Sequence, residues 1–576
     1  MTIFDSFRKR KTIPSPWSKY YTEEDLNIKI PNTSLYKQIV ETKDKYPDFT
    51  AYKYFGKKVS YKILIKQIDN AAVAFKKLGV KKGEVVTICL PNIPETVISF
   101  YALNKLGAIA NMVHPLSAEE EIKESLIFTK SRYLVMLDSF YSKIEKSIYY
   151  TLVEKVIFAS PSNSLKFLLK MGYKVMNFHK YKKYPKKDMF ISWNKFILQS
   201  FFYEDNIIDN NDRNTPAAIL HSGGTSGRPK HVVIQNRAFM LGALQEKSVA
   251  KKIKAGDAFL AILPNFHGFG LSVCIHTPLT LGCYTVLIPQ FDANKFDILF
   301  NKEKPSVILG VPTLFEALIS NNNIENLDLS FLKYVISGGD KLSSKLEKRI
   351  NNYLKEHNSK EKITQGYGLT EALAAVCLCL DDNYKSGSIG IPLPGNYIKI
   401  IDPATRKTKP FNEDGEIVIN SRALMMEYLN CESETNEALQ IHDDGHIWLH
   451  TGDLGYMDED GFIFYKGRSK RMIISSGYNV YPSHIEEVIE SHPAVLQCSV
   501  VGVPHSYKQE VPKAFIVLRD GFQGLFVKNE IKAYCKKNLA KYMIPGEFVY
   551  RKKLPKTKLG KIDFKKLEGD FDKDDF

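Results

Sequence analysis

The sequence predicts an α/β protein with a large N-terminal domain, built from two layered βα sheets plus a β-rich subdomain, followed by a small α/β C-terminal domain. Three observations lead to this prediction. Helical patterns alternate with short apolar runs over residues 59–160, as in a mostly parallel sheet. The same alternation returns over residues 285–340. Strand-like runs with turn signals between them, typical of a β-rich unit, then follow at 397–402, 415–419, 446–450 and 462–466.

The first sheet region begins with a predicted helix over residues 61–78. Apolar side chains recur there at helical spacing, and Gly79 supplies a stop signal. The elements expected next are, in order, a strand at 85–90, a turn at 91–94, a helix that ends at Leu106, and strands at 134–137 and 156–158.

The chain is expected to divide at residue 470. Residues 1–469 are predicted to form the large domain and residues 470–576 the small one. In the small domain, Ser483 and Glu486 have the spacing of a capping box at the start of a helix. Its other elements are expected at 498–503, 513–518 and 528–540.

The composition excludes two broad classes of protein. With 576 residues, of which 44% are hydrophobic and 25% charged, the chain can bury a large core, which excludes wholesale disorder. The formal net charge is +16, but most basic residues are lysine, and no long basic block or nucleic-acid motif occurs. Because arginine is the favoured residue for phosphate forks and base edges, we expect no nucleic-acid partner.

Cysteine usage and the N-terminus indicate a cytoplasmic protein. The 8 cysteines form no CxxC pair, so neither a zinc site nor a disulfide framework is predicted. The first residues carry charges but no apolar stretch of the kind found in secretory signals. Residues 258–291 contain no charged side chain, yet proline, glycine, histidine and asparagine interrupt them, so we expect a buried core segment rather than a membrane span.

A glycine-rich loop is the strongest local motif. It follows the apolar run 217–220 and precedes the β-branched run 231–235, so it is predicted to join two strands. Glycines there allow backbone N–H groups to form an anion nest, while hydroxyl groups and a lysine add donors and charge, a combination that suits a polyphosphate. The spacing is not that of a Walker loop, and a flexible surface hairpin is the alternative. The residues concerned are Ser222, Gly223, Gly224, Thr225, Ser226, Gly227 and Lys230.

This loop resembles the signature of adenylate-forming (AMP-binding) enzymes, which include acyl-CoA synthetases, luciferases and peptide-synthetase adenylation domains. The resemblance runs from about residue 20 to 565. Residues 474–482 and 308–314 are most similar to fatty acyl-CoA synthetases. Further motifs follow in the order of the family: Pro264-Asn-Phe-His267-Gly-Phe-Gly270, Tyr367-Gly-Leu-Thr370-Glu371, Gly415-Glu-Ile, Trp448-Leu-His-Thr-Gly-Asp453, Gly467-Arg468-Ser-Lys470 and Pro555-Lys-Thr-Lys-Leu-Gly-Lys561.

The resemblance implies ATP-dependent activation of a fatty acid to an acyl-adenylate and transfer to coenzyme A, with release of pyrophosphate and AMP. Such chemistry is mostly positioning plus neutralisation of developing charge. ATP, Mg²⁺ and coenzyme A are the expected cofactors and co-substrates. The alternatives are a ligase for an aryl or other small carboxylate, an enzyme that loads a separate carrier protein, and a non-catalytic sensor of nucleotide or acyl chains. Oligomeric state and acyl chain length stay open.

The resemblance also implies roles for residues around the triphosphate. Glu371 is a Mg²⁺ ligand, since Mg²⁺ usually takes one or two carboxylates plus substrate phosphates, and Thr225 is the second ligand. Thr370 donates to the α-phosphate, and Tyr367 offers a ring face for adenine. The end of the strand that precedes Gly338 and Gly339 borders the adenine and the acyl pocket.

Asp453 and Arg468 are expected at the same end of a hairpin. An Asp-Gly pair at 460–461 lies between them, and this pair is a strong hairpin signal. The resemblance implies that Asp453 and Arg468 hold the ribose hydroxyl groups. A surface ion pair is the alternative.

Four further residues receive roles from the resemblance. Lys561 bridges the substrate carboxylate and the α-phosphate, for which a point-like ammonium is suited. His267 orients the carboxylate or gates the pocket, the alternative being a core histidine packed among aromatic rings. Lys470 marks a hinge about which the small domain rotates after adenylation, withdrawing Lys561 and presenting Gly477 to the thiol.

Two residues beside the glycine-rich loop depart from the pattern of the family. His231 stands where glycine is usual, and His221 replaces an aromatic residue or threonine. Neither removes a needed group, but both are expected to alter nucleotide affinity.

Residues 164–187 form a candidate membrane contact. This stretch carries eight lysines interleaved with apolar side chains, and no acidic residue occurs before Asp188. Such a composition suits an amphipathic patch on the anionic inner face of a membrane. The alternative is a solvated loop in a lysine-rich protein.

Overall fold

The structure is a computed structural model of the chain. It describes residues 13–177, 184–202, 207–222, 229–292, 295–321, 327–379, 383–475, 478–505, 509–522, 524–557 and 561–570.

Helices and strands alternate along most of the chain. The helices are α1 Glu23–Leu26, α2 Leu35–Lys45, α3 Tyr61–Leu78, α4 Pro94–Leu106, α5 Glu119–Phe128, α6 Phe167–Asn177, α7 Trp193–Leu198, α8 Asn236–Val249, α9 Thr277–Thr280, α10 Phe296–Glu303, α11 Pro312–Ile319, α12 Ser344–Glu356, α13 Glu432–Ala438, α14 Pro482–Ser491, α15 Leu525–Asn538 and α16 Phe564–Glu568. The strands up to residue 310 are β1 Thr50–Tyr54, β2 Lys57–Ser60, β3 Val85–Cys89, β4 Ile109–Met112, β5 Tyr133–Leu137, β6 Lys155–Ala159, β7 Phe190–Ser192, β8 Pro216–Ser222, β9 Lys230–Gln235, β10 Ala258–Ala261, β11 Tyr284–Leu287 and β12 Val307–Gly310. The remaining strands are β13 Tyr334–Ser337, β14 Ile363–Gly368, β15 Ala375–Leu378, β16 Ile391–Pro392, β17 Asn396–Ile401, β18 Gly415–Ser421, β19 Glu427–Tyr428, β20 Leu439–Ile441, β21 Ile447–Met457, β22 Ile463–Arg468, β23 Ile473–Ser475, β24 Tyr478–Val480, β25 Val495–His505, β26 Gln509–Leu518 and β27 Glu547–Tyr550.

Two large sheets form most of the N-terminal domain. Within the described residues, one has the strand order β19-β9-β8-β4-β3-β5-β6-β7 and the other β16-β15-β14-β13-β12-β10-β11-β1-β2. The inner strands of both sheets are parallel, and antiparallel strands lie at the edges. The prediction of two layered βα sheets is confirmed.

The first predicted helix forms as expected. Its first turn is capped by Ser60, whose side chain accepts a hydrogen bond from the N–H of Ile63. It ends at Gly79, whose φ of +99° is a left-handed conformation that glycine adopts without a steric penalty. Its buried face, which includes Leu64, Ile68 and Phe75, packs in the main hydrophobic core.

The uncharged segment 258–291 is part of this core. It contains β10, a π-helix at Phe269–His276, α9 and β11, and nearly all its side chains are buried or half-buried. Among the residues described, no helix is long and apolar enough to span a bilayer.

The β-rich subdomain is one antiparallel sheet with the order β17-β18-β21-β20, and β22 pairs with β21. The hairpin between β21 and β22 turns at Asp460 and Gly461, where the sequence predicts it. Gly461 has a φ of +91° and lies against the backbone of Trp17, so a side chain there would meet both strain and a clash.

The small domain is a separate sheet with the order β24-β23-β26-β25, to which β27 adds in parallel. α14 and α15 pack on it in their own hydrophobic cluster. The predicted boundary at residue 470 falls in the short 3₁₀ turn Ser469–Arg471 that joins β22 to β23. The exact division of the chain stays a prediction.

The predicted capping box at α14 is wrong. The helix begins at Pro482 after Tyr481, without a capping side chain. The Ser483 hydroxyl instead donates to the carbonyl oxygen of Lys466, and Glu486 accepts hydrogen bonds from Arg471 and the N–H of Val500. Tertiary partners therefore replace the local cap.

Candidate active site

Two strands position the ends of the glycine-rich loop. β8 and β9 pair antiparallel up to Ser222 and Lys230, so both residues stand at the mouth of the hairpin, as predicted. Lys230 Nζ lies 2.5 Å from Glu434 Oε2 and 4.2 Å from the centre of the Tyr428 ring. Gly223, Gly224, Thr225, Ser226 and Gly227 lie outside the described residues, so their predicted contacts with phosphate stay predictions.

Polar side chains of neighbouring elements form a network with the two histidines of the β8–β9 hairpin. His221 and His231 face each other across the two strands, with ring centres 4.4 Å apart. His221 Nε2 contacts Asn111 Oδ1 at 2.8 Å, and His231 Nε2 lies 3.4 Å from Ser125 Oγ. The Asn111 amide nitrogen donates to Thr87 and Ser125, so its oxygen accepts and His221 Nε2 carries the proton.

Both histidines are neutral at physiological pH. Burial lowers the pKa of His221 to about 3, with His231 adding to the shift. Burial likewise lowers the pKa of His231 to about 4. The two departures from the pattern of the family are therefore uncharged parts of the hydrogen-bonded base of the loop.

Glu371 follows β14 in a 3₁₀ turn, Thr370–Ala372. Tyr428 donates its hydroxyl to Glu371 Oε1 at 2.9 Å, and the N–H of Met425 donates to the Glu371 carbonyl at 2.7 Å. Thr370 is buried beside it. A half-buried carboxylate oriented by one hydrogen bond is a suitable ligand for Mg²⁺, which usually takes one or two protein carboxylates plus phosphates.

A strained turn follows directly. Leu373 has φ +69° and ψ −49°, and the N–H of Ala374 donates to the carbonyl of Ala372 at 2.9 Å, which closes a γ-turn of the rare hand. Such a conformation costs on the order of 1–3 kcal/mol in a residue with a side chain. A Cβ on Gly268 would overlap the Leu373 carbonyl oxygen, so the loop after His267 and this turn fit together only with glycine there.

Asp453 is the most enclosed acid of the site. It pairs in register with Arg468, whose Nε lies 3.0 Å from Asp453 Oδ1, and Tyr367 donates its hydroxyl to Asp453 Oδ2 at 2.6 Å. Oδ1 is buried and receives no hydrogen bond of adequate geometry from the described residues. Burial raises the pKa of Asp453, while Arg468 and Tyr367 oppose that shift. A buried carboxylate oxygen that lacks a hydrogen-bond donor suits a ribose hydroxyl group, which can donate to it.

Lys561 reaches the same site from the small domain. Its loop is closed by the bridge between Lys556 and Ile562 and by the N–H of Thr557, which donates to the Lys561 carbonyl at 2.7 Å. A Cβ on Gly339 would lie 3.9 Å from Lys561 Cε, so the lysine side chain passes over the end of β13.

Burial and neighbouring charges tune the groups around Lys561. Burial lowers the pKa of Lys561 and Arg468 adds to this, whereas Asp340 and Asp453 oppose it. Burial, and then Lys561, lower the pKa of His267 to about 4, so His267 is neutral at physiological pH. The structure therefore brings Lys561, His267 and the Asp453–Arg468 pair together, and their roles stay predictions.

The glycines after β13 border this centre. A Cβ on Gly338 would lie 3.0 Å from Phe269 Cε1, so a larger residue there would push against the ring that follows His267. Gly339 has a φ of +80°, a left-handed conformation that favours glycine.

Contacts between the domains hold the lysine loop in place. Lys341 Nζ lies 2.8 Å from Glu487 Oε2, and Lys345 Nζ donates to the carbonyl oxygens of Glu490 and His492 at 2.9 Å each. These bonds join the start of α12 to α14. Lys470 is exposed in the joining turn, and Gly477 lies outside the described residues, so the predicted hinge and thiol contact stay predictions.

A narrow cavity lies behind Ala372. It holds about 10 Å³, the space of one water molecule. Glu246 forms one wall, and burial raises the pKa of this carboxyl to about 8, so it is mostly protonated at neutral pH. Most of the other wall residues are small: Ala238, Gly242, Ser272, Ala372, Ala374, Ala375 and Ala423.

Three residues of the site carry no signal that the sequence reasoning used. Tyr428 orients Glu371, Glu434 pairs with Lys230, and Asp340 faces Lys561. Tyr428 and Glu434 come from parts of the chain without a motif, and Asp340 directly follows Gly339. Each meets its partner only through the tertiary fold.

Comparison with known proteins gives two family matches. The model for the AMP-binding enzyme family matches residues 39–429, and that for the AMP-binding enzyme C-terminal domain matches residues 484–561. A long-chain-fatty-acid–CoA ligase of Bacillus subtilis (strain 168) is 30% identical over 554 residues, which cover 95% of this chain and 96% of that protein. A probable 4-coumarate–CoA ligase 1 of Dictyostelium discoideum is also 30% identical, over 566 residues covering 95% and 97%.

Solved structures share the fold. The anthranilate CoA ligase AuaEII in complex with anthranoyl-AMP superposes with a TM-score of 0.81 at 23% identity, covering 94% of this chain and 97% of that one. ATP-bound MatB from Rhodopseudomonas palustris superposes with a TM-score of 0.80 at 22% identity, covering 93% and 98%.

Proposed function

The chain belongs to the AMP-binding enzyme family and is an adenylate-forming acid–CoA ligase, and from this premise we propose that it activates a fatty acid. The observation that carries the proposal is the convergence of Lys561, His267 and the Asp453–Arg468 pair on one centre, beside Glu371. These groups supply what adenylation needs: a cation for the reacting oxygens, an acceptor for ribose and a carboxylate for a metal ion.

In the proposed first step, a carboxylate oxygen of the acid attacks the α-phosphorus of ATP, the bond to the pyrophosphate oxygen breaks, and pyrophosphate leaves. Lys561 lies between the two reacting groups and reduces the repulsion between their negative charges. Neutral His267 contacts the carboxylate without adding charge. Asp453 accepts a ribose hydroxyl at Oδ1 and so fixes the nucleotide.

Glu371 is the described residue that would hold Mg²⁺, with Thr225 as the second predicted ligand. The ion, when bound, would neutralise phosphate charge. The Tyr428 hydroxyl holds the Glu371 carboxylate in position through Oε1.

In the proposed second step, the sulfur of coenzyme A attacks the acyl carbonyl, the anhydride bond breaks, and AMP leaves. We propose that the small domain turns about Lys470 between the two steps. While the small domain is docked, Lys561 lies in the active site, and this lysine is needed only for adenylation. Docking includes partly exposed polar contacts, such as Lys341–Glu487. A domain held in this way can exchange between two positions.

A fatty acid is the proposed substrate for two reasons. The relative from Bacillus subtilis acts, by its name, on long-chain fatty acids, and residues 474–482 and 308–314 resemble that group. The narrow cavity behind Ala372 has mostly small wall residues and a mostly protonated Glu246. Because it has space for only one water molecule, it would have to widen to take an acid, and a methylene chain requires less widening than a ring. An aryl acid is the second candidate, since the 4-coumarate relative is equally identical.

Pyrophosphate release across a panel of acids tests the proposal. With ATP and Mg²⁺, acids from acetate to oleate, benzoate, coumarate and amino acids are compared with and without coenzyme A. A rate that rises with chain length and needs coenzyme A for turnover supports the fatty acyl-CoA ligase. Turnover with aryl acids favours the second candidate, and a single burst unaffected by coenzyme A favours a carrier-loading enzyme.

A variant of the cavity wall sharpens the test. Gly242→Leu fills the space beside Ser272, where a Cβ would already lie 3.5 Å from Oγ. We expect kcat/KM for palmitate to fall about tenfold or more, as for one lost large apolar contact, while butyrate turnover stays unchanged. Equal loss for both acids would mean that the acyl chain takes another path.

A further inference from the structure

Helix α6, Phe167–Asn177, connects β6 to β7 and lies on the outside of the first sheet. Among its residues whose side chains are described, none is buried. A crossover helix normally buries an apolar face against its sheet. Here the strand beneath is covered instead by Tyr184, whose ring stacks on Phe158 at 4.3 Å. The core therefore does not need the apolar side chains of α6.

Six large apolar side chains of α6 are exposed, each by between 50% and 82%. At 3.6 residues per turn, they project over an arc of about 200°. Monomeric proteins rarely leave so many neighbouring apolar side chains in water without a function. We name this surface the α6 face: Phe167, Leu168, Leu169, Met171, Val175 and Met176.

The inner side of the helix is anchored to the body. Lys170 and Tyr173, which project from the remaining arc, are half-buried. Before the helix, Ser164 donates its hydroxyl to Glu95 Oε1 at 2.7 Å, and the Tyr54 hydroxyl donates to the Pro161 carbonyl at 3.0 Å. The hydrogen bonds hold the segment before the helix against the protein, and the half-buried Lys170 and Tyr173 mark the side of α6 that faces the protein.

The charged side chains that flank the α6 face in sequence are lysines. Lys166 precedes the helix and is exposed, as are Lys186 and Lys187 where the described chain resumes. Lys187 Nζ lies 3.2 Å from the hydroxyl of Tyr149, itself about half exposed. The first acidic residue, Asp188, is paired with Lys155 at 2.6 Å.

We propose that the α6 face is a peripheral membrane-binding surface that inserts its apolar side chains into an anionic lipid bilayer. Apolar side chains enter the boundary between headgroups and acyl chains, while flanking lysines attract anionic headgroups. The combination of an outward apolar arc with lysine flanks fits this occupant better than a neutral protein groove. Such a surface would place the enzyme where a lipid-partitioning acid is concentrated.

Co-sedimentation of the full chain with vesicles tests the proposal without any substrate. Vesicles of phosphatidylglycerol mixed with phosphatidylcholine are compared with vesicles of phosphatidylcholine alone. We expect binding to the anionic vesicles, weakened by added salt because salt screens the lysines. Absence of binding to anionic vesicles would overturn the proposal. Since no ligase reaction is measured, this result is independent of the proposed substrate.

A matched pair of variants locates the contact. Phe167→Ser/Leu168→Ser/Val175→Ser removes three exposed apolar side chains from the α6 face. The control Leu525→Ser/Phe526→Ser removes two that are similarly exposed, at 79% and 75%, on α15 of the small domain. We expect the first variant to lose vesicle affinity by at least about tenfold and the control to bind normally. Both should release pyrophosphate normally with a short acid.

Three results would overturn the proposal: unchanged binding by the α6 variant, equal loss in the control, or a dimer that the α6 variant turns into a monomer while vesicles bind neither form. The last result would make the α6 face an interface between two copies of this chain. Thermal unfolding of both variants, expected to match the parent, shows that any loss is not a loss of fold.

Discussion

Two groups that meet in the active site are held there in different ways. Asp453 and Arg468 face each other on neighbouring strands of one antiparallel sheet, so backbone hydrogen bonds set their separation. Lys561 belongs to the small domain and reaches the site through a docking contact that includes Lys341 and Glu487. One sheet thus sets the separation of Asp453 and Arg468, whereas the position of the lysine depends on how the small domain docks.

The largest effect is expected from Lys561→Ala. It removes the cation near the reacting oxygens, so adenylation should fall by about 100- to 1,000-fold. Conversion of preformed acyl-AMP to thioester should stay largely intact, because we propose that the lysine is withdrawn in that step. Pyrophosphate release and thioester formation, measured separately, check this.

Lys556→Ala is the matched control, since it removes an exposed lysine of the same loop. It should leave both half-reactions unchanged. Equal loss of both half-reactions in Lys561→Ala would contradict the proposal that Lys561 acts only in adenylation.

Asp453→Asn tests the nucleotide side of the site, where the antiparallel sheet holds the Asp453–Arg468 pair. It removes the charge that faces Arg468 and weakens the acceptor at Oδ1, at a cost of about 1.5–3 kcal/mol, or on the order of tenfold to 100-fold in the KM for ATP. The KM for the acid should change little. Steady-state kinetics with varied ATP measure the effect, and Asp458→Asn at the turn of the same hairpin is the control. An unchanged KM for ATP would rule out the ribose role.

The pH dependence of stability tests the protonation state of His231, which lies in the β8–β9 hairpin of the first large sheet. The pKa of His231 is about 4 in the folded protein, against an ordinary value of 6.5, so the unfolded chain binds more protons between these values. The stabilisation is complete above pH 6.5 and is lost as pH falls toward 4. When the pH is lowered from 7.5 to 4.5, the Tm of His231→Gln should fall by less than the Tm of the parent protein.

His505→Gln, at an exposed position, should keep the slope of Tm against pH of the parent protein. If the slopes of all three proteins coincide, the neutral, buried state assigned to His231 is wrong.

The smallest effect is expected at the docking contact. Lys341→Ala removes a partly exposed ion pair, worth about 0.2–1 kcal/mol, so adenylation should fall by about fivefold at most, without a change in ATP affinity. The charge swap Lys341→Glu/Glu487→Lys should restore part of the rate. Glu154→Gln breaks a partly exposed pair with Arg132 inside the large domain and is the control. A charge swap that is no better than Lys341→Ala would show that this pair does not set the docked position.

Local signals explain what could be predicted from the sequence. The Asp460-Gly461 turn fixes a hairpin, and the hairpin brings Asp453 opposite Arg468, so this part of the site follows from short-range geometry. The helix that ends at Gly79 is equally local. In both cases the residue that determines the structure lies within a few positions of the structure it determines.

Long-range contacts explain which features could not be predicted from the sequence. Glu486 has the spacing of a cap but bonds Arg471, because a half-buried arginine needs a partner for its charge. Tyr428 reaches Glu371 across 57 positions of sequence and carries no motif. Leu373 adopts a positive φ that composition would assign to glycine, since the surrounding fold imposes it.

The turn at Leu373 couples two properties that an enzyme engineer would want to adjust separately. One peptide unit forms the wall of the cavity on one side and the end of the Glu371 segment on the other, and Gly268 fits against its carbonyl oxygen. A substitution at 372–375 that reshapes the cavity therefore also moves the carboxylate. From the roles proposed for the cavity and for Glu371, changes in acid preference made there should come with changes in magnesium requirement, whereas changes made on α8, at Gly242, should not.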